Sequence, residues 1–181
     1  MASDGSGPTN EITWFLYTGP DGEAVPMDVT HLRVHPSVTS IPDGSFVCRG
    51  KLQRVDLPEG LRKIGKKAFC NCHSLESVDL PEGPEEIGGW AFHNCHSLAL
   101  MKIPSTIRVI PKYGCGELME VQLSEGLEEI SAEAFGTCVS LEHMKFPSTL
   151  TVIGNSPFEH TRLRVVDFPD AVRSIGVQLF F

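Results

Sequence analysis

The chain has no uninterrupted apolar run of the roughly 20 residues that a membrane-spanning helix needs. It is also short of positive charge. Lys and Arg number 15 against 23 Asp and Glu, a formal charge of −8, which disfavours general binding to nucleic acid or to an anionic membrane surface. The first ten residues, MASDGSGPTN, are polar and lack both a basic n-region and an apolar h-region, so they do not read as a secretory signal. Together these absences favour a cytoplasmic location. Catalytic signatures are missing as well. There is no G-x-S-x-G, H-E-x-x-H, Walker loop or G-x-G-x-x-G. No cofactor is implied and no enzyme is expected.

What is present is a repeat. Leu52–Ser74, LQRVDLPEGLRKIGKKAFCNCHS, returns as Leu75–Ser97, LESVDLPEGPEEIGGWAFHNCHS, and again as Leu118–Ser140, LMEVQLSEGLEEISAEAFGTCVS. A fixed period of 23 residues predicts a stacked solenoid, since one such unit cannot bury its own apolar face. Each unit predicts a short strand with Leu52, Val55 and Leu57 turned inward, ended by Pro58. Leu61 and Ile64 then point inward from a second side, Gly65 turns the chain, and Ala68-Phe69 sits in a helical turn with Phe69 as the main filler.

Residues 1–10 read as a disordered tail and 11–28 as an N-terminal capping segment. In the cap, the strand candidate Ile12–Tyr17 and the turn Gly19-Pro20-Asp21-Gly22 predict a β-hairpin-like lid against Val29–Val34. Residues 29–181 read as about seven rungs of 20–23 residues, the fourth (Leu98–Glu117) being three residues short. Val166, Phe168, Val172, Ile175, Leu179 and Phe180 give the last rung an apolar side with nothing after it, so end-to-end self-association is a possible use of that end.

Six cysteines could suggest a disulfide framework. Cys72, Cys95, Cys115 and Cys138, however, each lie three residues before the leucine that opens the next rung. One inward slot for a small apolar thiol accounts for them, and Gly114-Cys115-Gly116 reads as a shortened turn rather than a reactive thiol site.

The LPEGL, IG, AF and C-x-S elements, as in Leu57–Leu61, Ile64-Gly65, Ala68-Phe69 and Cys72–Ser74, closely resemble the BspA-like (Treponema-type) leucine-rich repeats. That resemblance implies an α/β repeat solenoid: a right-handed coil with one parallel β-sheet on the concave side and short helical turns opposite. It also implies roles in protein binding, adhesion or surface recognition, without naming a partner.

The strand of each rung offers two outward positions, and its candidate contact residues are Arg33, Arg54, Asp56, Asp79, Lys102, Glu120, Gln122, His143 and Lys145. They serve either as a protein-binding surface or simply as a solvated face. Seven basic residues gather in Arg49, Lys51, Arg54, Arg62, Lys63, Lys66 and Lys67. Against a docking site for an anionic partner stands the alternation Arg62, Glu85, Arg108, Glu128 in one slot, which predicts an exposed ion-pair ladder. Cys70, His73, His93 and His96 occupy equivalent slots on adjacent rungs and are zinc-compatible in type, but ligands on a ladder run parallel rather than converge, so a structural stack is preferred. The expected function is a non-catalytic protein–protein interaction module. The alternative is a structural spacer, or a fragment of a longer array without a dedicated ligand.

Overall fold

The computed structural model describes residues 12, 14–112 and 118–180. The tail expected at 1–10, Cys115 with its flanking glycines, and Phe181 lie outside them. The chain winds as a coil whose rungs carry a longer strand on a front side and a two-residue strand on a back side. The front strands are β1 (Trp14–Tyr17), β2 (His31–Val34), β4 (Arg54–Asp56), β6 (Ser77–Asp79), β8 (Leu100–Lys102), β10 (Glu120–Gln122) and β12 (His143–Lys145). Between them come the back strands β3 (Ser40–Ile41), β5 (Lys63–Ile64), β7 (Glu86–Ile87), β9 (Val109–Ile110), β11 (Glu129–Ile130), β13 (Val152–Ile153) and β14 (Ser174–Ile175). Six rungs have both a front and a back strand.

Every recorded strand pair is parallel and joins one rung to the next in register, as in Arg54↔Ser77, Val55↔Val78 and Asp56↔Asp79. The strands are short because their inward residues leave room for one or two side chains before the chain must turn, commonly at a proline such as Pro58 or Pro104. The expected single sheet is therefore two-sided. Its front part runs β1-β2-β4-β6 and then β8-β10-β12, and its back part runs β3-β5-β7 and then β9-β11-β13-β14.

The third side, around Ala68-Phe69, is not helical. No helix occurs among the described residues. Its amides alternate between two uses. Ala68 and Cys70 donate to Gly65 and Lys67, three residues back, whereas Lys67, Phe69 and Asn71 donate to Gly89, Ala91 and His93 in the next rung. Lys67 and Asn71 adopt left-handed φ values of 56° and 61°, and such residues interrupt a right-handed helix. The third side thus stacks through its backbone as the strands do.

Two further expectations change. β1 pairs with β2 in parallel, Trp14↔His31 through Tyr17↔Val34, so the N-terminal lid is a shortened coil and not a hairpin. The Gly19–Gly22 turn (Gly22 N–H to Gly19 C=O, 3.1 Å) and a second one at Pro26 carry the chain round rather than back. Gly65 does not turn the chain by an unusual φ; a Cβ there would lie 2.5 Å from the Asp43 backbone nitrogen. Its smallness lets one rung lie close on another.

Inside, the inward leucines, valines and isoleucines form one continuous core with the phenylalanine slot as its column. Tyr17 caps Phe46 edge-on at 4.9 Å, Phe46 meets Phe69 at 5.1 Å, and Phe69 meets Phe92 at 5.3 Å. Phe135, Phe158 and Phe180 continue it lower down, 6.1 and 5.7 Å apart. The seventh rung is built only in part: β14 docks on β13, but residues 163–168 form no front strand.

Candidate protein-binding face

Alternation along each front strand fixes what the face presents. The middle residues Leu32, Val55, Val78, Met101, Val121 and Met144 are buried, so their neighbours on either side point to solvent. Parallel register then stacks them into two rows. One runs His31, Arg54, Ser77, and beyond a break Leu100, Glu120, His143. The other runs Arg33, Asp56, Asp79, then Lys102, Gln122, Lys145. All nine expected contact residues therefore lie on one side of the coil.

The two halves of the face differ. In the upper half Arg33 pairs with Asp56 at 3.1 Å, Arg54 with Asp56 at 3.2 Å and with Asp79 at 3.8 Å. Arg33 also lies over the Trp14 ring, 4.7 Å from its centroid. Those charges are spent within the chain. In the lower half Glu120 accepts from Gln122 Nε2 at 2.9 Å, while no carboxylate among the described residues lies within ion-pair distance of Lys102 or Lys145. Leu100 and Met119 stand exposed beside them. Two depressions open here, one of ≈ 460 Å³ lined by residues 119–123 and 143–145, the other of ≈ 530 Å³ lined by 143–146 with Val165 and Asp167. They share β12. Sequence reasoning set these residues in stacked rows but did not give this asymmetry, because which neighbouring side chains meet as ion pairs, Arg33 with Asp56 and Arg54 with Asp79, depends on side-chain reach that the register alone does not give.

Five of the seven residues of the basic cluster, Arg54 included, make intramolecular side-chain contacts. Lys63 pairs with Glu86 at 2.9 Å, Arg62 donates to the Gly83 carbonyl at 3.2 Å, Arg49 to the carbonyls of Val47 and Val25, and Lys67 lies 5.7 Å from the Trp90 ring centroid. The predicted ladder holds at Arg108–Glu128; at Arg62 it gives way to the adjoining Lys63–Glu86 pair.

The Cys70, His73, His93, His96 set does not converge. His73 and His96 stack with ring centroids 5.0 Å apart and planes 7° from parallel, and His73 Nδ1 lies 3.1 Å from the Asn94 carbonyl oxygen. Burial lowers the His93 pKa, helped by His96 and Lys67; burial raises that of Cys70, which Lys67 partly offsets. No three His, Cys, Asp or Glu side chains among the described residues are grouped to hold a metal ion. The inward thiols are donors instead: Cys72 Sγ–H to the Phe46 carbonyl and Cys95 Sγ–H to the Phe69 carbonyl, each at 3.2 Å. Burial pushes the Cys72 thiol up to about 12 and that of Cys95 higher still, so both stay protonated and unreactive. A polar column that sequence reasoning missed runs outside them. Asn94 Nδ2 donates to Asn71 Oδ1 at 2.8 Å, and Asn71 Nδ2 to Cys48 Sγ at 3.5 Å. The signal was there, since these three residues share one slot 23 apart.

A coil of parallel strands with columns of leucine, phenylalanine and cysteine inside defines a leucine-rich-repeat solenoid. The chain belongs to the BspA type leucine rich repeat family, whose model matches residues 39–159 and 112–181 in six copies. Among solved structures it resembles a leucine-rich repeat protein of Bacteroides ovatus (24% identity, TM-score 0.64, covering 84% of this chain and 46% of that one). It is also similar to a leucine rich cell surface protein of Faecalibacterium prausnitzii (26% identity, TM-score 0.66, 82% and 39%). A third likeness is to the T. pallidum leucine rich repeat protein (24% identity, TM-score 0.66, 82% and 73%). The chain spans less than half the length of the first two. No curated protein matches it. Among the described residues no helix is long and apolar enough to cross a membrane.

Proposed function

We propose that the chain is a non-catalytic protein-interaction module and that its contact surface is the lower front face, rungs four to six, centred on β10 and β12. The reading is supported by the contrast just described. Upper-face charges are paired with one another, whereas Lys102 and Lys145 make no ion pair among the described residues, Leu100 and Met119 stand exposed on the same face, and Lys145 lines both depressions. A rigid surface with apolar anchors and uncommitted charge at its rim suits protein recognition. The fold alone would be an analogy; the local asymmetry is an observation on this chain's own residues.

The test compares two charge-reversed double variants in affinity capture from the native source. K102E/K145E should weaken capture of the bound protein by about tenfold or more, of the order of one lost charged contact. The exchange R33D/D56R, which keeps an ion pair on the upper face, should leave it unchanged. Equal loss in both, or in neither, would overturn the placement, and a chain that captures nothing would favour the spacer role.

A further inference from the structure

We propose that the outer edge of β12 accepts a parallel β-strand from an extended, acidic segment of the partner protein; the inference rests on the lower front face being the contact surface. Backbone first. At the joint between rungs four and five, Ile103 N–H donates to the Gln122 carbonyl at 2.8 Å and Met119 N–H to the Ala99 carbonyl at 2.9 Å. Two rungs further on, at the joint of rungs six and seven, residues 163–168 form no strand, and β12 has β10 as its only strand neighbour among the described residues.

The seventh rung is nevertheless close by. Arg162 N–H reaches the Leu141 carbonyl at 3.0 Å, the Phe168 ring meets Phe146 at 5.1 Å, and β14 is docked on the back. Residues 163–168 thus lie alongside β12 without taking its hydrogen-bonding edge, and Val165 is 67% exposed. An edge with unsatisfied N–H and C=O groups is a template for strand addition.

Side chains then say what kind of strand fits. Strand cations elsewhere meet a carboxylate one rung on: Arg33 with Asp56, Arg54 with Asp79, Lys63 with Glu86. Among the described residues Lys145 has no such neighbour within ion-pair distance, and the His143 ring has no carboxylate beside it either. A strand added to β12 places its own residues directly opposite them, where a carboxylate pairs favourably with Lys145 and can accept the His143 ring N–H. Its middle residue faces inward beside Met144 and should be apolar. The recognised pattern is acidic–apolar–acidic in an extended backbone. Asp167 shows that the chain's own segment has part of that pattern and competes for the edge.

The experiment uses the full chain and short end-blocked peptides of alternating glutamate and valine, titrated by fluorescence polarisation, with amide hydrogen exchange read by NMR. The glutamate peptide should bind saturably and slow exchange at the Phe146 amide. Its lysine analogue, and a copy N-methylated along the pairing edge, should each bind at least about tenfold more weakly. Lys145→Glu should exchange the preference between the glutamate and lysine peptides, an outcome that loss of folding cannot mimic. Equal binding of the N-methylated copy, or a Phe146 amide already protected in the free chain and unchanged by peptide, would overturn the proposal. Should the peptides fail while K102E/K145E still abolishes capture, the edge is excluded and the face stands. Should they bind β12 while capture ignores that variant, the face reading falls instead.

Discussion

At the scale of single residues, the packing of one rung on the next is set by atoms that are absent. Gly88, like Gly65, sits where a Cβ would lie 2.4 Å from the Lys66 backbone nitrogen, whereas a Cβ at Gly60 would meet the Pro36 carbonyl oxygen at an ordinary 3.6 Å. Gly88→Ala should therefore cost about 1–3 kcal/mol through overpacking, and Gly60→Ala should stay within about 0.5 kcal/mol of the parent; urea denaturation midpoints measure both. The buried thiols make a second expectation. Cys72 titrates near 12 in the folded chain because it is buried, against roughly 8.5 for an exposed thiol. Its contribution is complete below the unfolded value and is lost as pH rises towards the folded one, because the unfolded chain gives up its proton first. Thermal stability should fall above about pH 8.5, and Cys72→Ala should flatten that decline relative to its own neutral value.

At the scale of elements, strand positions and register were legible in the sequence because side-chain alternation and a fixed period report on them directly. Leu52, Val55 and Leu57 announced the front strand, and Arg33 with Asp56 could be placed opposite each other before any coordinates. The third side was not legible. Ala-Phe followed by Cys suggests a compact helical turn, but what decides its form is the backbone, with left-handed Lys67 and Asn71 sending alternate amides to the next rung. The lid was misread for a similar reason: Gly19–Gly22 signals a turn, and local turn chemistry does not say whether the strands it joins run antiparallel or in parallel. Carboxylates also link rungs. Glu82 accepts the N–H and hydroxyl of Ser105 (2.8 and 2.9 Å), and Glu125 those of Ser148 (3.1 and 2.9 Å), which holds both acids below the usual carboxylate range. Their stabilisation is present above the unfolded pKa of roughly 4.3 and is lost as pH falls through the lower folded value. The double variant E82Q/E125Q should accordingly show a shallower drop in melting temperature on acidification than the parent.

At the scale of the molecule, the strand ladders break between rungs three and four, where β6 is not joined to β8 nor β7 to β9, while the core runs on through them. Pro84 stands at that place. In other rungs the residue of this slot closes a turn with its amide, as Leu61 does to Pro58 and Ile107 to Pro104, and proline has no N–H to give. Glu82–Ser105, the Thr106 hydroxyl on the Pro84 carbonyl and a backbone bond, Trp90 N–H to the Lys112 carbonyl at 3.3 Å, hold the seam. Repeat arrays couple only neighbour to neighbour, so weakened coupling here should split unfolding into two steps. Phe46→Ala and Phe135→Ala, each removing about 3–5 kcal/mol of core, should shift different steps in a urea titration monitored by amide exchange. A single transition moved equally by both would show the seam to be energetically silent.

The column of rings carries a consequence for the pitch of the coil. Its centroids lie 5.1–6.1 Å apart, more than the about 4.8 Å between paired strands, while the backbone beside the rings keeps ladder bonds such as Phe69 N–H to the Ala91 carbonyl at 2.8 Å. Neighbouring rings are therefore slipped sideways over one another at the common rise. Exchanging rings for aliphatic side chains would leave that rise, and with it the spacing of the front strands, unchanged.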